Sequence, residues 1–476
     1  MTGATLSDLS LIFPELILVG TALGLILAAR RIQNGPLVTA ATVLAALAAA
    51  LASVWVLSES PRTGFVDMIT VDGYSQFFKV LIASALALAA LLSERRVDAE
   101  HVRPAEYHAL LLLASTGMMF AASAVDLLTL YLGLELTTLC SYILVGITVD
   151  RPKSNEAAIK YFLLGSFASA LFLYGIAMVY GVTGATGFEA IAEALSDRGL
   201  GSNQMLVAAV GLLGAGLAFK IGAFPFHAWA PDAYEGASAP VAAFLAAASK
   251  AAGLAALGRV CLVAFEPEAR VMSAVLTGLA VLSIIVGSII AVAQTDMKRL
   301  LAYSSIAHAG YALLGFIAAT SGTYYGASAT MTYAFLYVFM TLGAFGVVIA
   351  LGERGEKLDG YQGLAAQRPG TALLMLLFLL SLTGIPPTAG FVAKFVVILS
   401  LVRAGHAWLA VLAVLCSVVT AFVYLRVAVL MYMNEPQEPA PSRFPVAVSA
   451  ALAMAAIVTV IGGIFPGLLT PWAVAP

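Results

Sequence analysis

Glu135, Lys220, Lys250 and Lys394 each stand deep inside a long apolar stretch, and no other feature of the chain restricts its fold so severely. An ionised side chain at the centre of a bilayer costs roughly 2.5–3.5 kcal/mol on insertion scales, so four such groups in separate apolar segments point to a task that needs charge. The simplest task of that kind is proton movement.

The surrounding composition, 61% hydrophobic against 11% charged residues, is that of an all-α polytopic membrane protein. A bilayer core of about 30 Å takes about 20 apolar residues per helix, which gives about fourteen spans. They fall near 9–29, 37–57, 73–93, 106–123, 126–149, 157–181, 203–224, 238–264, 272–293, 299–319, 326–351, 371–400, 405–433 and 446–470. The net charge of -2, with basic residues dispersed, excludes a nucleic-acid partner. Cys140, Cys261 and Cys416 have no CxxC or CxH spacing and read as small core residues. With no haem, iron-sulfur, zinc or nucleotide-loop motif, the chain by itself is expected to carry neither electrons nor a metal. The first apolar run lacks a basic leader and a small-residue cleavage site, so it reads as a permanent helix.

Placing the N-terminus outside puts Arg30, Arg31, Arg95, Arg96, Arg103, Arg151, Lys153, Lys298, Arg299, Arg354, Lys357, Arg368 and Arg443 in or beside cytoplasmic loops. Arg62, Arg198, Arg270 and Arg403 then fall outside. That division follows the positive-inside rule and predicts both termini on the outer, periplasmic side of a bacterial inner membrane.

Two spans carry breakers. Gly222 and Pro225 interrupt the seventh just after Lys220, and Gly384, Pro386 and Pro387 interrupt the twelfth before Lys394. Proline frees a carbonyl on the preceding turn, tolerable at membrane depth only beside protein or water. Paired interruptions in corresponding places of two halves mark inverted-repeat transporters. The predicted division is a three-helix flank at 1–105, a five-helix repeat at 106–264, a second, inverted one at 265–433, and a C-terminal helix at 434–476.

Glu135 lies nine residues after Asp126, which marks the outer edge of its span, so it stands about 14 Å deep. Lys250 and Lys394 each precede an arginine, Arg259 and Arg403, by nine residues and reach a similar depth. Burial disfavours a protonated lysine and a nearby carboxylate favours it, so shifting the carboxylate's charge switches the lysine between holding and releasing a proton. Glu135 with Lys220 is the natural switch, with Lys250 and Lys394 extending a relay in the membrane plane; the rival reading is static ion pairs that fix helix packing. Lys220, beside its break, is expected to be hydrated there by freed backbone groups. His308, with Ser304, Ser305 and Tyr311 on nearby turns as groups able to hold water, fits either a proton carrier or a buried neutral ring. Lys79, Lys160, Arg259 and Arg426 are expected to snorkel to the interface. The segment PFHAWAPDAYEGASAP, with His227, Asp232 and Glu235, reads either as a cytoplasmic proton entrance or as a tight loop on the membrane face.

Three stretches, FKIGAFPFHAWAPDAYEGASAPVAAFLAAASKAAGLAAL at 219–257, QTDMKRLLAYSSIAHAGY at 294–311 and SLTGIPPTAGFVAKF at 381–395, resemble the antiporter-like membrane subunits of proton-pumping NADH:quinone oxidoreductase, respiratory complex I. The last two are shared more loosely with sodium/proton antiporter subunits and membrane-bound hydrogenases. The resemblance covers essentially the whole chain. It implies a proton path through Glu135, Lys220, Lys250 and Lys394, with no cofactor in this chain and FMN, iron-sulfur clusters and quinone in or at other subunits. It also implies partners: other membrane subunits of that complex, including a second antiporter-like subunit and a lateral helix, besides membrane lipids. A subunit of a multi-chain sodium/proton antiporter and a structural membrane scaffold are the alternatives.

Overall fold

The computed structural model describes residues 6–30, 34–57, 62–99, 102–198, 203–323, 325–436 and 444–468. Arg31 and Arg443 of the charge count, the side chains of Arg95, Arg96 and Arg198, and the last residues of the final predicted span lie outside what is described. The described chain is nearly all helix. An N-terminal flank of α1 (Phe13–Ala28), α2 (Gly35–Leu57) and α3 (Gly73–Ala99) includes a short antiparallel hairpin, β1 (Arg62–Gly64) with β2 (Ile69–Val71), in which Thr63 faces Thr70. The first half follows with α4 (Pro104–Ser123), α5 (Leu127–Val145), α6 (Pro152–Thr183), α7 (Phe188–Arg198), α8 (Gln204–Ile221), α9 (Trp229–Gly236), α10 (Ala239–Phe244) and α11 (Lys250–Arg259). Two π-turns, Leu245–Ser249 and Val260–Ala264, join α10 and α11 into one span, Ala239–Ala264. The second half holds α12 (Ala269–Val292), α13 (Met297–Thr320), α14 (Gly326–Leu351), the one-turn α15 (Leu364–Gln367), α16 (Pro369–Thr383), α17 (Ala389–Arg403) and α18 (Ala407–Met433), and α19 (Val446–Ile464) closes the described chain.

Twelve segments among the described residues are long and apolar enough to cross a bilayer. With α4 and the α16–α17 pair, the expected set of about fourteen is complete. The hairpin and the surface helix α7 were not foreseen. Helix starts are set by local chemistry: Asp126 accepts from the Leu128 and Thr129 amides at the head of α5, Asn203 from Met205 at α8, and Asp296 from Arg299 at α13. Proline occupies the first turn of α4, α6 and α16, where its missing N–H costs nothing.

Burial grades the helices from enclosed to peripheral. The span through α10 and α11, together with α13 and α14, is almost wholly enclosed, whereas in α1, α18 and α19 only about a third of the residues are buried and large apolar side chains such as Leu27, Val411, Leu415, Phe422 and Ile457 turn outward. At several helix pairs the backbones touch. A Cβ on Gly117 of α4 would meet the Gly133 carbonyl of α5 at 2.5 Å, and one on Gly287 of α12 would meet the Tyr303 carbonyl of α13 at 2.8 Å. Close approach of this kind, through small residues, is how helices pack where no hydrophobic force separates lipid from protein.

Candidate proton-relay site

Both breaks have the same backbone. Gly222 ends α8 with φ +66 and Gly384 ends α16 with φ +91, a left-handed conformation that glycine adopts without a Cβ penalty. The next residue then donates to the carbonyl five positions back, Ala223 to Ala218 at 2.8 Å and Ile385 to Leu380 at 3.1 Å. Each is followed by a cis peptide, Phe224-Pro225 and Pro386-Pro387. They diverge from there. After the second break a 15-residue helix, α17, resumes, whereas after the first only the eight-residue α9 forms before the chain enters the next span.

Lys220 stands in the last turn of α8 and is 8% exposed, but it does not use its own break, contrary to the expectation from sequence. Its Nζ lies 3.1 Å from Glu135 Oε1, donates to the Thr138 hydroxyl, and is 3.5 Å from the Leu134 carbonyl, all on α5. The reason is that the freed Phe219 carbonyl is already taken by the Trp229 indole N–H at 2.9 Å, and the amide beyond the glycine, Phe224, donates to the Ser283 hydroxyl at 2.9 Å.

Lys250 begins α11 immediately after the π-turn Leu245–Ser249, the kind of widened turn that re-aims a side chain at functional sites. It is buried, its Nζ donates to the Ser305 carbonyl of α13 at 2.5 Å, and it stands 3.8 Å from where a Gly222 Cβ would be. The first break therefore faces Lys250. A cavity of about 10 Å³, the room of about one water, is lined by Lys250, His308, Tyr333 and Tyr337. His308, also buried, places Nδ1 2.6 Å from the Tyr333 hydroxyl, with its ring 6.0 Å from that of Tyr311.

Lys394 behaves as Lys220 was expected to. Its Nζ donates at 2.8 Å to the Thr383 carbonyl, at the broken end of α16, and at 2.8 Å to the Ser417 hydroxyl, and lies 4.5 Å from the centre of the Tyr311 ring. Ser381 pins the two half-helices together, accepting from the Gly390 amide at 3.0 Å. Among the described residues no carboxylate pairs with Lys394 or Lys250, whereas Lys220 has Glu135. The four positions thus form a file, Glu135 to Lys220, past Gly222 to Lys250, across to His308 and Tyr311, and on to Lys394.

The segment after the first break is a structured loop built around α9. Asp232 bonds Lys160 at 3.1 Å and Arg299 at 3.0 Å, and Glu235 bonds Lys153 at 2.9 Å and Arg299 at 2.8 Å. Partial burial pushes both carboxyls up, but their cationic partners win and hold them below the usual carboxylate range. His227 takes no part in this network; it stacks on Phe224, with burial lowering its imidazole. On the same face, Arg151, Lys153, Glu235, Asp296, Glu356 and Lys357 are among the residues that line a cavity of about 580 Å³.

Two snorkelling expectations fail. Lys79 is fully buried, 2.7 Å from Glu15 of α1, because an apolar bundle offers the ammonium no route to water and α1 supplies a counter-charge. Sequence reading missed Glu15, whose place beside Pro14 resembles an ordinary first-turn acid. Arg259 is likewise buried and bonds Asp72 at 2.6 Å, lying 4.9 Å over the Tyr74 ring. Lys160 does reach the exposed rim, and Arg426 caps the Val292 and Gln294 carbonyls at the end of α12. Cys140 and Cys261 are buried core residues, and Cys416 is half-buried.

Residues 124–420 match the transmembrane family of NADH:quinone oxidoreductase and Mrp antiporters. The chain is 44% identical over 474 residues to NADH-quinone oxidoreductase subunit N 2 of Rhizobium meliloti, covering 98% of this chain and 97% of that one. It is 43% identical to NADH-quinone oxidoreductase subunit N of Desulfovibrio desulfuricans, covering 98% and 96%. Among solved structures, a chain of respiratory complex I from Thermus thermophilus superposes with a TM-score of 0.82 at 36% identity over 97% of this chain and 99% of that one. A chain of an Mrp complex from a Dietzia species superposes at 0.85 with 22% identity over 97% and 96%, a likeness of fold alone.

Proposed function

The chain belongs to the membrane-subunit family of NADH:quinone oxidoreductases and Mrp antiporters, and from that premise we propose that Glu135, Lys220, Lys250, His308 and Lys394 are its proton relay. It is an antiporter-like membrane-arm subunit of NADH:quinone oxidoreductase, as its subunit N relatives and the complex I likeness indicate. The observation that carries the relay is the Glu135–Lys220 pair at 3.1 Å, standing at one end of a file of buried cations that crosses both halves.

The physical logic is a switch. While Glu135 faces Lys220, the ammonium is stabilised and holds its proton; when the carboxylate's influence is withdrawn, burial favours the neutral amine and the proton moves on. Lys250, paired with no carboxylate, accepts it more easily when Lys220 is neutral. Lys394, held by a carbonyl, a hydroxyl and an aromatic face, ends the file in a setting that tolerates either charge state. The protons titrate as a coupled set. The chain itself is non-redox in this reading, with FMN, iron-sulfur clusters and quinone in or at other subunits and electron transfer there driving the relay. Its peripheral apolar helices face lipid, a neighbouring antiporter-like subunit and a lateral helix. The two five-helix units at 106–264 and 265–433 form inverted repeats, and their shared break geometry supports this. Both termini lie on the periplasmic side, a reading supported by Arg151, Lys153, Lys298, Arg299 and Lys357 all bonding or lining cavities at one end of the bundle.

Lys220→Ala in the assembled complex is expected to abolish most pumping by this subunit, read as the proton-to-electron ratio of membrane vesicles oxidising NADH. An unchanged ratio removes Lys220 from the relay. Transport supported by a sodium gradient without any redox partner would instead favour the antiporter reading.

A further inference from the structure

Resting on the proton-translocating reading, we propose that the hydroxyls of Tyr234, Ser305, Tyr337 and Thr341 form the inlet that carries protons from the charged face of the bundle to Lys250. All four hydroxyl oxygens are buried and none makes a hydrogen bond in the described structure. A buried polar group left unpaired costs about 1–3 kcal/mol, so four in one place require an explanation. They are neighbours, near enough to interact as hydroxyl pairs though not in good hydrogen-bond geometry: Ser305 lies beside both Tyr234 and Tyr337, and Thr341 beside Tyr337. A small rotation of each hydroxyl brings it onto its neighbour, so a proton can pass from one oxygen to the next.

The file has two defined ends. At the inner end Tyr337 lines the small cavity it shares with Lys250 and His308, and the Ser305 carbonyl accepts directly from Lys250. At the outer end Tyr234 belongs to α9, whose Glu235 lines the large charged cavity, and Lys298 closes the roof by bonding the Ala237 carbonyl at 3.1 Å with Glu356 3.4 Å away. Lys298 precedes Ser305 by seven residues on α13, about 10 Å along the helix axis. Burial raises the Asp296 carboxyl beside this cavity above its usual range, which suits a group that collects protons. Entry thus reaches the file at Lys250, and Lys220, whose ammonium is enclosed by α5, is reloaded from there when Glu135 again favours its charged form. Each step passes one proton between oxygens, or from oxygen to the Lys250 amine, with no change of redox state.

The test uses the whole complex in inverted membrane vesicles, with Tyr337→Phe, Thr341→Val and Ser305→Ala made separately so that one poorly assembling variant does not decide the matter. Proton uptake during NADH oxidation is followed with a pH-sensitive dye in H2O and in D2O. The expected result for Tyr337→Phe is uptake slowed on the order of tenfold or more, with a larger solvent isotope effect and unchanged electron transfer to an artificial acceptor. A slower rate without a larger isotope effect marks a packing defect and overturns the inlet. Unchanged uptake in all three variants, while Lys250→Ala still removes this subunit's share of pumping, overturns the inlet and leaves the relay standing. Unchanged uptake in Lys250→Ala as well removes the relay itself.

Discussion

At the first break the chain turns at Gly222 while Lys220 reaches away to a carboxylate on another helix; at the second it turns at Gly384 and Lys394 reaches back onto the broken end itself. The same turn therefore serves two electrostatic designs. In the first half the freed carbonyl is occupied by Trp229, so the ammonium depends on Glu135 and is exposed to any change in that charge. In the second half the ammonium is held by neutral dipoles and a ring, none of which can be switched off by a proton. In the proposed relay, one end of the file is the switch and the other the receiver.

The largest expected effect tests that asymmetry. Glu135→Gln leaves Lys220 without its counter-charge, and removing one partner of a buried pair costs about 3–5 kcal/mol unless the other neutralises. Pumping measured in vesicles should collapse while NADH oxidation by the peripheral arm persists; retained pumping would make the two ends equivalent. Ser417→Ala takes one charge-assisted hydrogen bond from Lys394, a loss of about 1.5–3 kcal/mol. It should slow pumping without abolishing it, because Thr383 and Tyr311 remain.

The two glycines sharpen the comparison further. Alanine at either position is strained by about 1–2 kcal/mol in a left-handed conformation. At Gly384 its Cβ would also meet the Lys394 Cδ at 2.9 Å, whereas at Gly222 the nearest atoms stand at 3.8 Å. Gly384→Ala should therefore lower thermal stability in detergent more than Gly222→Ala; equal losses would show that Lys394 yields easily. The smallest effect concerns α9. Asp232 and Glu235 titrate below their unfolded range, so the stability they contribute is complete above that range and fades as pH falls through their depressed values. Melting followed from neutral to acid pH should show this loss in the native chain and less of it in Asp232→Asn with Glu235→Gln.

The parts of this site legible in the sequence were those that violate a local rule. A lysine inside an apolar run and a glycine followed by proline three residues on are conspicuous whatever surrounds them, so Glu135, the three lysines and both breaks were readable. What Lys220 bonds was not, because the competitor for its carbonyl, Trp229, is set by the path of the loop. Glu15 escaped because its partner Lys79 lies two helices away and an acid in a first turn is ordinary. Ser305 stood out only by its nearness to His308; the hydroxyls of Tyr234, Tyr337 and Thr341 carry no period or spacing, since threonine and tyrosine are common in packed membrane helices, and only tertiary placement brings the four together. The π-turn before Lys250 runs through Leu-Ala-Ala-Ala-Ser, which reads as plain helix.

The most direct measurement is the proton-to-electron ratio of the assembled complex carrying Glu135→Gln, Lys220→Met, Lys250→Met and Lys394→Met together. If these charges exchange protons, the complex assembles and oxidises NADH but this subunit's share of the ratio disappears. An undiminished ratio contradicts a proton-handling role and leaves the charges as packing elements of a scaffold.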